Sequence, residues 1–210
     1  MGRFEAAWIA AFLAVSAAHA STREWHFDVT ADGIPIGTYT FVVTEDGASR
    51  HVVADAKYRV RLLVVDAFSY EHHDEETWHG DCLVQLATRT VERGSTTLVS
   101  GRAEPGAFVI ETPQGRESLP ACPMTFAYWN PRILERHALI NTQTGAWTPV
   151  TVTSLGEDRI TVRGATVQAQ RYRMETARTI TDVWYSAGGD WLGLHGTARS
   201  GGHTLTYRLK

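Results

Sequence analysis

The stretch Asp46-Gly47-Ala48-Ser49-Arg50-His51-Val52-Val53-Ala54-Asp55-Ala56-Lys57-Tyr58-Arg59-Val60-Arg61-Leu62 decides the fold class. Val52, Ala54, Ala56, Tyr58, Val60 and Leu62 fall on one face. Asp55, Lys57, Arg59 and Arg61 fall on the other, which is the period of a half-buried strand and not of a helix. Asp46-Gly47 supplies the tight turn that a hairpin needs before it. The two alanines in the middle of the apolar face leave room behind them.

The same alternation continues on either side. Trp25, Phe27 and Val29 alternate with Glu24, His26, Asp28 and Thr30, and Asp32-Gly33 turns the chain into Tyr39, Phe41 and Val43. After Leu62 the next strand puts Phe68, Tyr70, His72, Asp74, Glu76 and Trp78 on one face. Its other face, with Glu71, His73, Glu75 and His79, is a solvated one. Aromatic and ionisable groups mixed on the first face suit a wet cavity wall or a sheet edge better than a dry core. Gly80-Asp81 leads into Cys82, Val84, Leu86, Thr88 and Thr90, and further glycines punctuate short strands to the C-terminal Leu205, Tyr207 and Leu209. Hairpin-sized connections predict an all-β, antiparallel meander of about a dozen strands. A barrel or half-barrel answers the problem of exposed edges, with a two-sheet sandwich as the other solution.

One segment breaks the rhythm. Residues 120–145 carry Cys122, Tyr128 and Trp129, then Asn130-Pro131, which pairs a good N-cap with proline at the first helical position. The pattern predicts one short helix over 131–139 with Ile133, Leu134, His137 and Ala138 on its docking face. Asn141 to Gly145 closes it as a polar turn. A helix this short must dock on the sheet, either as a lid or plug over a ligand cavity or as a structural cap.

Residues 1–20 read as a signal peptide: Arg3, an apolar run from Ala6 to Ala18, then Ala18-His19-Ala20 as a small-x-small cleavage site. The remainder, 21–210, is one domain's worth of chain, placed by that leader in the periplasm or outside the cell. A formal charge of −3 with no basic run argues against nucleic acid. In an oxidising compartment Cys82 and Cys122, the two cysteines of the chain, are most simply one disulfide, the alternative being two buried thiols.

No cofactor motif, glycine-rich phosphate loop or Gly-x-Ser-x-Gly appears. His72 and His73 are adjacent on a strand and face opposite ways, so no metal centre is expected there. His72 with Asp74 or Glu76 forms an acid/base candidate, against a plain internal hydrogen-bond network. No residue is assigned a catalytic role.

The segments Ile36-Gly37, Glu76-x-Trp78-x-Gly-x-Cys82-Leu83, Phe126-Ala-Tyr-Trp-Asn-Pro131, Leu139-Ile-Asn-Thr-Gln-Thr-Gly145, Trp191-Leu-Gly-Leu194 and Leu205-Thr-Tyr-Arg-Leu209 carry a resemblance. The chain resembles an uncharacterised family of exported bacterial β-proteins, a domain of unknown function. The resemblance implies a periplasmic β-barrel-like domain, loosely similar to lipocalins and lipoprotein carriers, and implies no catalytic residue.

The expectation is thus a barrel that binds an apolar or amphipathic small molecule or lipid, with Tyr70, His72, Asp74, Glu76, Trp78, Tyr128 and Trp129 as ligand-binding candidates. The alternatives are an envelope-associated enzyme using His72 with Asp74 or Glu76, and a structural or interaction module with peripheral envelope association.

Overall fold

Alternation and turn chemistry produce the strands they call for. The computed structural model describes residues 20–62 and 65–210, without the side chains of 61–67. The leader reading over 1–20 therefore lies outside the described residues except for Ala20, and so does the inward side chain of Leu62. The strands are β1 (Ser21–Ala31), β2 (Ile34–Asp46), β3 (Ser49–Leu62), β4 (Val65–His79), β5 (Cys82–Glu92), β6 (Ser95–Glu104), β7 (Ala107–Thr112) and β8 (Gly115–Pro120). After the insertion, which holds the small pair β9 (Ala138–Ile140) and β10 (Trp147–Pro149), come β11 (Thr151–Val162), β12 (Ala165–Glu175), β13 (Thr179–Tyr185), β14 (Trp191–Ala198) and β15 (Thr204–Leu209).

Thirteen strands form one antiparallel sheet in the order β11-β12-β13-β14-β15-β1-β2-β3-β4-β5-β6-β7-β8. Every neighbour is a sequence neighbour except at one joint, where β15 pairs with β1 and Tyr207 lies opposite Val29. The two ends of the meander therefore meet in the middle of the sheet, and its edges are β8 and β11. Residues 121–150 connect those edges. One apolar cluster unites Trp25 and Phe27, Trp78, Phe108, Val183 and Trp191 from both halves of the sheet with Met124, Trp129, Ile133, Leu139 and Ile140 of the insertion. The connection thus runs across the inner face and fills it.

Two expectations are corrected here. The helix over 131–139 is a 3-10 turn of five residues, Pro131–Glu135. Asn130 caps it as expected, its side-chain oxygen accepting from the Arg132 N–H at 3.1 Å. Arg136 is already extended, so the chain turns into β9, which pairs with β10, and His137 ends exposed. Strand pairing replaces a helix too short to stand alone. The other correction concerns β4: it is neither a sheet edge nor a wet wall. It pairs with β3 along its length and with β5 from Tyr70 to His79, and over that span the inner face from Tyr70 to Trp78 is buried.

A second layer covers part of the outer face. β11 bulges between Ser154 and Gly156, and its far half reaches back over β13 to β15. Trp184 Nε1 donates to Asp158 Oδ2 at 2.9 Å, and the Arg163 N–H donates to the Leu209 carbonyl at 3.3 Å. A Cβ on Gly193 would lie 2.7 Å from Ile160 Cδ1, so Ile160 packs directly over the glycine and would have to shift to admit a side chain. Beneath the layer Asp182 is buried and accepts from Arg171 and Arg173.

Candidate functional site

Strand register sorts the inner face of the sheet into levels. At one end the interior is dry. Trp78 packs edge-on against Trp129 with centroids 5.5 Å apart, Phe27 lies 4.4 Å from Trp191, and all four side chains are buried. The Cys82–Cys122 disulfide ties the insertion to β5 at this end, so the bridged reading of the two cysteines holds. Toward the other end the inner side chains become polar and aromatic: Glu76, Asp74 and His72 on β4, then Tyr39, Tyr58, Tyr70 and Tyr207. Tyr58 and Tyr70 stack at 5.2 Å, and the Tyr58 hydroxyl donates to the Tyr207 hydroxyl at 3.3 Å.

Among the described residues that second end is open. Val60, Phe68, Tyr39, Leu205 and Tyr207 pack against the cluster of Val29, Ile36, Ala56, Tyr58 and Tyr70, yet each keeps accessible surface. The pairing of β2 with β3 stops at Gly37 and Tyr58. Beyond it the strands part around a cleft of about 450 Å³, lined by Ile34, Pro35, Ile36, Arg59 and Val60. Gly37 makes the parting possible, because a Cβ there would meet the Lys57 carbonyl oxygen at 1.8 Å.

Between the two ends the insertion meets the polar part of β4 with threonines. Thr142 Oγ1 lies 3.3 Å from His72 Nε2, while His72 Nδ1 lies 2.9 Å from Thr90 Oγ1. Thr88 donates to the Thr142 carbonyl at 2.7 Å. Thr142 also bonds Asp74, and Thr125 bonds Glu76. Trp78 Nε1 donates to Glu76 Oε2 at 2.8 Å. One carboxyl oxygen, Asp74 Oδ1, is buried with no hydrogen-bond partner among the described residues.

Three ionisable groups out of water are moved toward their neutral forms. Burial lifts Asp74 to about 7, against the Thr142 hydrogen bond. Burial first, then the neighbouring Asp74, holds Glu76 well above the usual carboxylate range. Burial lowers His72 to about 4, with Glu76 pulling the other way. The phenols of Tyr39, Tyr58, Tyr70, Tyr128 and Tyr207 are all pushed up by burial.

The ligand-binding candidates separate along this gradient. Tyr70 stands at the open end, with His72 and Asp74 just inside it. Glu76, Trp78 and Trp129 belong to the packed interior. Tyr128 is half-buried, its ring 5.5 Å from that of Trp191 and its carbonyl accepting from the Tyr185 hydroxyl at 2.9 Å. The acid/base pairing is loose: His72 Nε2 is 3.8 Å from Asp74 Oδ2, and threonines occupy both ring nitrogens. His73 faces outward, between Asp55 Oδ1 at 2.9 Å and Glu75 Oε1 at 3.1 Å. Among the described residues no group of three or more His, Cys, Asp or Glu is placed to hold a metal ion.

Tyr39, Tyr207, Thr125 and Thr142 were not among the sequence candidates. The alternation already placed Tyr39 and Tyr207 inward. Nothing local to Thr125 or Thr142 signals that each meets a carboxyl on a strand about fifty to seventy residues earlier.

The family model described as a domain of unknown function, DUF6134, matches residues 27–210. The chain is also similar to a crystal structure of a beta-barrel-like protein of the domain of unknown function DUF1849 from Brucella abortus. The TM-score is 0.66 at 7% identity, over 89% of this chain and 94% of that one, a likeness of fold alone. No curated protein matches the chain.

Proposed function

Because the chain belongs to the DUF6134 family, a domain of unknown function with a β-barrel-like fold here, we propose its role from the site: an exported protein of the periplasm or cell exterior that binds an apolar or amphipathic small molecule or lipid at the open end of the half-barrel. One observation carries this reading. Inner-face residues at that end, Tyr39, Tyr207, Val60 and Phe68, keep accessible surface, whereas inner-face residues at the tryptophan end keep almost none. A concave, aromatic-lined mouth with a few convergent polar groups is the usual form of a small-molecule site. The adjoining cleft supplies apolar wall from Ile34, Ile36 and Val60.

Two features support export: the leader-like residues 1–20 and the Cys82–Cys122 bridge, which suits an oxidising compartment. The enzyme alternative is weakened by the 3.8 Å gap and the threonine shielding of His72. The interaction-module alternative calls for one large apolar patch. The exposed large apolar side chains among the described residues, Ile34, Leu98 and Leu155, instead sit on the separated strands β2, β6 and β11.

Full-length protein purified from a periplasmic fraction, analysed by native mass spectrometry and by organic extraction, tests the reading. Co-purifying small molecule, displaced when Tyr39 and Tyr207 are replaced by tryptophan, is the expected result. Protein that arrives empty and binds no hydrophobic fluorescent probe overturns it.

A further inference from the structure

The interior just inside the open end holds a carboxyl that the described residues leave half-satisfied. Asp74 faces inward from β4. Its Oδ2 lies toward His72 and Thr142 bonds the carboxyl, but Oδ1 is left with no partner while the residue is only 5% exposed. A buried acceptor without a donor is costly, and of the buried polar atoms left without a partner among the described residues it is the one carboxylate oxygen on the inner face, free to accept from a ligand.

The groups facing Asp74 limit what that can be. On its own strand these are His72, Glu76 and Tyr70, with His73 and Glu75 on the outward face. β3 presents Ala54 and β5 presents Thr88, neither of them charged. β2 contributes Tyr39, whose hydroxyl feels Asp74, Tyr207, Tyr70 and Tyr128. The insertion contributes Thr142. No lysine or arginine is among these groups, and burial disfavours a proton on His72. Arg59 lines the outer cleft and Arg93 lies over the Phe68 ring, but beside Asp74 itself an anionic headgroup would meet, among the described residues, two carboxyls and no cation. A cationic headgroup would find an unpaired carboxyl oxygen and a ring of phenols, whose electron-rich faces attract cations.

We propose that the headgroup specificity of the open end is for a cationic nitrogen, an ammonium or quaternary ammonium carried on an aliphatic chain, seated among Tyr39, Tyr70 and Tyr207 and directed at Asp74. This rests on the ligand-binding reading above and names the class of ligand that reading leaves open. The chain of the ligand leaves past Ile36 and Val60, the inner wall of the cleft. Below about pH 7 binding must displace the proton from Asp74, whereas above it the carboxylate is ready to receive the cation.

The test uses the full mature protein and three probes of equal chain length below their micelle concentrations: dodecyltrimethylammonium, dodecanoate and a neutral dodecyl glycoside. Isothermal titration calorimetry at pH 8 reads their affinities. The cationic probe is expected to bind at least about tenfold more tightly than the other two. Asp74→Asn, isosteric and uncharged, is expected to erase that preference, the cationic and neutral probes then binding within about twofold of each other. Should the variant fold poorly, the wild-type protein still decides. The preference for the quaternary probe, whose own charge does not titrate, must shrink as pH falls from 8 to 5. Lysophosphatidylcholine as a fourth probe separates a choline headgroup with its phosphate from a bare ammonium, and tight binding of the former alone counts against the bare cation. Equal binding of all three dodecyl probes, or a preference for dodecanoate, overturns the proposal and leaves the binding reading standing. Binding of none overturns both.

Discussion

Thr142 Oγ1 and His72 Nε2 lie 3.3 Å apart across seventy residues of chain. The contact joins the insertion to the most polar part of the sheet's inner face, and the same threonine also bonds Asp74. The insertion is therefore held by matched polar groups as well as by its apolar side chains. Its apolar part, Met124, Ile133, Leu139 and Ile140, is buried in the core. It acts as a plug of the tryptophan end more than as a lid over the mouth.

Replacing Thr142 with valine keeps its shape and removes the hydroxyl. Asp74 and His72 then lose a partner in a buried setting, at an expected cost of about 1–3 kcal/mol. Thermal unfolding followed by circular dichroism reads the loss, and Thr142→Ser is expected to recover most of it. A valine variant as stable as the parent would show that the plug does not depend on this contact.

The disulfide spans a sequence separation of 40 residues and anchors the entrance of the plug. Constraining the unfolded chain by such a loop is worth roughly 4 kcal/mol. Reduction, or joint replacement of both cysteines by alanine, should shift the denaturant midpoint down with a small change in slope. Two titratable thiols in the native oxidised protein would contradict the bridge.

Stability should be greatest at mildly acidic pH. Asp74 is raised from 3.8 to about 7, and Glu76 moves the same way. Each contribution is thus full below the unfolded carboxylate pKa; that of Asp74 is lost as pH rises through about 7 and that of Glu76 as pH rises through its own raised value. His73 is raised too, through Asp55 and then Glu75, and its contribution is likewise lost on the alkaline side. His72 runs against them. Lowered from 6.5 to about 4, it contributes above 6.5 and loses that as pH falls toward 4. Two carboxyls outweigh one imidazole between about pH 5 and 7, so the denaturant midpoint should decline from pH 5 to pH 8. Asp74→Asn should flatten the decline. A midpoint that climbs steadily to pH 8 would rule out the assignment.

Asp182→Ala removes the buried acceptor shared by the part-exposed guanidiniums of Arg171 and Arg173 on β12. The expected cost is about 1.5–3 kcal/mol, the usual range for hydrogen bonds to charged groups. Glu45→Ala removes the partner of Arg23 and Arg50 on a more open surface, with an expected cost under about 1 kcal/mol. Chemical denaturation of both variants side by side reads the difference. Equal effects would mean that the layer does not enclose Asp182 in solution.

Strands and turns were legible because each rests on local chemistry. Val52 to Leu62 alternates, Asp46-Gly47 turns, and neither needs a distant partner. The inward identity of His72, Asp74 and Glu76 was legible for the same reason. Their dryness was not, since the cover comes from Thr125 and Thr142, residues with no periodic signal. The helix over 131–139 failed because Asn130-Pro131 specifies a start and not a length. Arg136 leaves the helical region, and the pairing of Ala138–Ile140 with β10 uses the remaining residues. The burial of Asp182 was hidden by a bulge at Ser154 to Gly156 that bends one hairpin over another part of the sheet. Such a bend is a tertiary event.

The joint between β1 and β15 sets the order in which the fold can be completed. Each other strand pairing within the large sheet closes a local hairpin, a fast step of low entropic cost. Phe27 opposite Leu209 and Ala31 opposite Leu205 join segments from opposite ends of the described chain. Loop-closure entropy makes that pairing the slow one. Until it forms, two separate meanders exist, and the β1 backbone facing β15 is an unpaired template for other strands. A chain emerging in order through a membrane pore would hold β1 in that state until its last strand had crossed.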